Sequence, residues 1–92
     1  MNIMNDVKDR LFELCAKLKP GRLSATEESR IIKSFNDAEG TIFERCRKAI
    51  LEVFDVDIET INLIEKSASI DRGRNALQNL KQVAQEAEKK SS

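Results

Sequence analysis

Apolar side chains recur every three or four residues through most of the chain, and polar or helix-breaking residues divide the repeat into five stretches. The first covers 3–19, with Ile3, Met4, Val7, Leu11, Leu14, Cys15 and Leu18 on one side. That spacing marks a helix with a single buried face. Asp6 and Arg10, and Glu13 and Lys17, stand four apart with the acid first, the favourable order for an ion pair on a helix. Pro20-Gly21 predicts the stop, because proline cannot continue the ladder and glycine accepts a left-handed cap. Ser24 and Glu27 then form a capping-box pair ahead of Ile31, Ile32, Phe35 and Ala38. A second helix over about 25–38 is predicted, ending before Gly40.

Thr41 and Glu44 repeat the capping pair and open the strongest stripe: Ile42, Phe43, Cys46, Ala49, Ile50, Val53 and Phe54. On a helical wheel these fill an arc of about 140°, wide enough for a central helix. Asp57 can cap a fourth helix whose buried side is Ile58, Ile61, Ile64 and Ala68. The β-branched density of Val56–Leu63 leaves a short strand as the alternative. Helix is preferred, because no alternation is clean and no second strand exists to pair with. A last helix is predicted from Ser69 or Asp71 to about Lys89, its stripe Ile70, Leu77, Leu80, Val83, Ala84 and Ala87. Its heptad spacing decays within three repeats, too few for a coiled coil. Residues 89–92 are expected to fray.

The 92 residues allow one domain. Surface scaling gives roughly 5,400 Å² for the folded chain, enough burial for one modest core. Sixteen cations balance sixteen anions, so no uniform field draws the protein to nucleic acid or membrane. The charge is still uneven: residues 55–65 carry −4 and residues 66–92 carry +3. Blocks of this kind can orient a partner. The polar opening lacks signal-peptide character, and no apolar run reaches the ~18–20 residues of a membrane span. A cytoplasmic protein is expected. Cys15 and Cys46 fall on apolar stripes and are expected as buried thiols rather than a disulfide.

Candidate chemistry is sparse. There is no histidine, and no Ser, Thr, Cys or Lys has a base at a catalytic spacing, so no enzyme and no cofactor is expected. Asp55, Asp57 and Glu59 resemble the opening of a calcium loop, but Thr60 stands where glycine is needed and Lys66 where the closing glutamate is needed. Helix capping explains these acids, and no metal is expected. Arg45, Arg47 and Lys48, following the turn at Glu39-Gly40, invite a helix-turn-helix reading. Asn36 occupies the place of the usual small residue, and Glu44 and Glu52 break the positive face; Glu44 and Lys48 read as a surface pair. Arg72 and Arg74 add two cations near a helix start, where the dipole disfavours them.

Two apolar residues lie off their stripes: Phe12 on the first helix and Leu51, beside Arg47, on the third. They belong either to a second packing layer or to a contact surface. The sequence therefore predicts an all-α bundle of four or five short helices, with 42–54 at its centre. The function expected is non-enzymatic: a regulatory or adaptor protein that scaffolds, inhibits or chaperones a larger protein, or self-associates as a dimer. Phe12, Arg47 and Leu51 are the candidate contacts. The alternative is a small nucleic-acid-binding regulator using Arg45 and Lys48 of the 42–54 helix, or the Arg72/Arg74 region.

Overall fold

Five helices follow one another in the computed structural model, which describes residues 3–18, 22–67 and 76–91. They are α1 (Ile3–Lys17), α2 (Ala25–Asp37), α3 (Ile42–Phe54), α4 (Ile58–Ser67) and α5 (Ala76–Ser91). Among the described residues there is no strand, so Ile58–Ser67 resolves as helix and the strand alternative fails. Asp57 explains the outcome: its carboxylate accepts the Glu59 N–H at 3.1 Å, and its carbonyl accepts the Thr60 N–H at 2.9 Å. A capped start of this kind nucleates the turn that β-branched side chains alone would not.

The helices form two pairs, α1 against α5 and α2 against α3, and α3 packs on α5 to join them. α3 also carries α4, so it touches three neighbours and is the central element. Its Ile42, Cys46, Ala49 and Ile50 are buried, while Phe43, Val53 and Phe54 are half-buried against the same core. α1 contributes Val7, Leu11, Leu14 and Cys15; α2 adds Ile31 and Phe35; α5 adds Leu77, Leu80, Ala84 and Ala87. The alanines at the end of the α5 stripe let that helix approach closely where larger side chains would hold it off.

Local sequence sets the boundaries. Ser24 accepts the Glu27 N–H at 3.1 Å and Glu27 accepts the Ser24 N–H at 2.9 Å, the full reciprocal box. The box at α3 is only half formed. Thr41 accepts the Glu44 N–H at 3.2 Å, but Glu44 takes the Thr41 hydroxyl at 3.1 Å instead of its backbone N–H. A tertiary cap is added, since Glu88 of α5 accepts the Ile42 N–H at 3.1 Å. Gly40, at φ +115°, makes the reversal between α2 and α3 that a side chain would strain. Asp55 closes α3 in the left-handed region at φ 56°, a conformation that aspartate tolerates better than most residues.

Two expected surface pairings are replaced. Arg10 donates to Glu13, both carboxylate oxygens at 3.1 Å, rather than facing Asp6. Lys48 and Glu44 do not pair, because each has a closer backbone or cap partner. The Pro20-Gly21 stop and the start of the last helix at 69–71 lie outside the described residues. α5 continues past Lys89 to Ser91. The chain exposes 6166 Å², more than the scaling value, and its extents are 36 × 28 × 23 Å. Among the described residues, no helix is long and apolar enough to cross a membrane.

Candidate protein-binding surface

The α2–α3 hairpin is fastened by two cations of α3. Arg45 donates through Nε to the Phe35 carbonyl at 3.1 Å, and its guanidinium carbon lies 4.3 Å from the centre of the Phe35 ring. Lys48 donates to the Glu39 carbonyl at 2.7 Å. The Phe35 carbonyl belongs to the last turn of α2, where the helix leaves acceptors unpaired, and the Glu39 carbonyl lies two residues past its end; a cation there also suits the dipole. Two of the residues with nucleic-acid potential are thus tied into the fold. Arg72 and Arg74 lie outside the described residues.

Fastening α2 to α3 leaves a groove of about 370 Å³ between them on the outer side. Lys33 and Asp37 line it from α2; Lys48, Leu51 and Glu52 line it from α3. Lys33 and Asp37 pair at 3.4 Å along their own helix. Leu51 is 51% exposed, so a large apolar side chain stands in water at the groove edge, with charges of both signs around it. Arg47 is exposed one turn before it. Phe12 is placed differently: it is half-buried and packed on the core from α1. The structure therefore joins Arg47 and Leu51 on one helix face and assigns Phe12 largely to packing.

One exposed apolar residue was missed by the stripe pattern. Leu63 on α4 is 66% exposed. It stands two residues after buried Ile61, roughly 200° round the helix, which was the available signal. It sits on the acidic segment near Asp57 and Glu59, both exposed.

Elsewhere the chemistry is closed or dispersed. Cys15 and Cys46 are fully buried free thiols. Burial pushes both up to about 12; for Cys46, nearby Cys15 adds to the rise, and Arg45 and a backbone hydrogen bond oppose it. Such thiols are poor nucleophiles. Among the described residues no three Cys, Asp or Glu side chains gather as a metal site. A second groove, about 390 Å³, runs between Thr41–Phe43 and α5, with Lys81 placed 5.7 Å from the centre of the Phe43 ring. The α3 N-terminus at its edge already holds the Glu88 carboxylate. Compared with known protein families, curated proteins and solved structures, the chain matches none.

Proposed function

We propose that this chain is a small non-enzymatic protein-binding module, a regulator or adaptor that scaffolds, blocks or chaperones a partner through the α3 face around Leu51. The observation that carries this reading is Leu51 itself, half in water beside the α2–α3 groove on the helix that packs against α2, α4 and α5. An apolar centre with a charged rim is the common anatomy of a protein contact. A rigid helix holds such an anchor with little ordering cost on binding. The absence of histidine and the sealing of both thiols in the core support a binding role over a catalytic one. Unpaired cysteines also suit a reducing compartment, and we place the site of action in the cytoplasm.

Nucleic-acid binding is less favoured, since Arg45 and Lys48 serve internal carbonyls and Glu52 and Asp37 stand beside Leu51. Affinity capture with mass spectrometry, with and without nuclease, tests the choice. Capture that survives nuclease and is lost in Leu51→Asp, with helix content unchanged by circular dichroism, supports the reading. Capture that is indifferent to Leu51→Asp, or abolished by nuclease, overturns it.

A further inference from the structure

The exposed charges along α3 change sign at Leu51. Arg47 lies one turn before it and Asp55 one turn after, and all three are exposed. The Asp55 N–H still bonds to the Leu51 carbonyl at 2.9 Å, so the helical turn is closed through residue 55. At the helical rise and rotation, the Arg47 backbone sits about 6 Å below Leu51 and ~40° to one side. The Asp55 backbone sits about 6 Å above and ~40° to the other side. A two-fold axis lying in the contact plane beside Leu51, at right angles to the helix, inverts height and keeps side. It brings position 55 of a second copy to the height of Arg47 of the first, and Arg47 of the second to the height of position 55 of the first, each pair offset sideways by about 3 Å at the backbone, within the reach of an arginine side chain. The face is therefore complementary to itself in charge, as an isologous contact requires. A parallel pairing would oppose cation to cation and anion to anion.

We infer that the Leu51 face pairs with the same face of a second copy, α3 antiparallel to α3, with Leu51 on Leu51 at the axis and two Arg47–Asp55 ion pairs flanking it. This rests on the protein-binding reading above and specifies its partner. The apolar contact provides the affinity. The ion pairs set orientation, because exposed pairs add little net energy whereas opposed like charges are penalised strongly. Such a contact closes at two subunits and does not propagate.

Sedimentation equilibrium from low micromolar to near-millimolar chain tests the inference. The mass should climb towards twice that of one chain, and Leu51→Asp should hold it at one. Arg47→Glu and Asp55→Arg should each weaken the dimer by at least about tenfold. The double variant Arg47→Glu/Asp55→Arg should restore it, and so should an equimolar mixture of the two single variants. Asp55→Asn, which keeps a residue suited to the left-handed cap, should weaken it without touching the fold. A single-chain mass throughout, or failure of both the double variant and the mixture to restore pairing, overturns the inference. If the chain stays single yet Leu51→Asp still abolishes nuclease-resistant capture, self-pairing fails and the protein-binding reading stands. If Leu51→Asp changes neither mass nor capture, both fall.

Discussion

Ile50 and Leu51 are neighbours on α3 with opposite surroundings: Ile50 is wholly buried and Leu51 is half exposed. Truncating each to alanine therefore separates core from surface within one turn of helix. Ile50→Ala removes three methyl or methylene carbons from a site on the helix that packs against α2, α4 and α5. With neighbours held in place by their own packing, the void closes only in part. Large-to-small changes at such sites cost about 2–5 kcal/mol, and about 3–4 kcal/mol is expected here. A chain of this length has ~5–14 kcal/mol of total stability, so the loss is a large share of it. With a urea slope of ~1–1.5 kcal/mol/M, the midpoint should fall by more than about 2 M. Far-ultraviolet circular dichroism is the suitable assay, since the chain has no Trp or Tyr to report by fluorescence. Leu51→Ala should stay within ~0.5 kcal/mol of wild type. An Ile50→Ala loss below ~0.5 kcal/mol would mean that α3 is not the centre of the core. A Leu51→Ala loss above ~2 kcal/mol would return Leu51 to the core and remove the proposed surface.

The two thiols should resist aromatic disulfide reagents in the native protein and react at once in denaturant; fast native labelling would contradict their burial. Their folded values, about 12, lie above the ordinary 9.0, so the neutral thiol is favoured in the fold. Stability from this source is complete below pH 9 and lost as pH rises from 9 towards 12, and Cys15→Ala/Cys46→Ala should lose less stability over that interval than wild type does. Glu88→Ala should cost about 1 kcal/mol and lower the thermal midpoint by ~4–8 °C, because the Ile42 N–H loses its cap; no change would show that water serves as well. Arg45→Ala should cost about 1.5–3 kcal/mol in urea unfolding by releasing the Phe35 carbonyl, and a neutral result would free Arg45 for an external ligand.

Much of this fold was legible because its determinants are local. The Ser24–Glu27 box and the α3 stripe each rest on residues three or four positions apart. The turn before α4 was readable for the same reason once Asp57 was weighed as a cap rather than as part of a strand. What the pattern could not show are partners distant along the chain. Glu88 reaches Ile42 across 46 positions, and only the α3–α5 packing brings them together. Arg45 and Lys48 look like a free basic face in one dimension, yet the hairpin aims Arg45 at the Phe35 carbonyl of α2 and Lys48 at the Glu39 carbonyl of the turn that follows. The candidate surface was half legible: the wheel placed Phe12 and Leu51 alike off their stripes, but Phe12 finds the core to pack on and Leu51 does not.

A photo-activated crosslinker placed at position 51 in living cells, beside a control at exposed Ser29 outside the groove lining, addresses the binding surface most directly. Binding through the Leu51 face predicts discrete protein adducts from position 51 that survive nuclease, with a band at twice the chain mass if the second copy is the partner, and none of these from position 29. No adduct from position 51, or only adducts removed by nuclease, would contradict it.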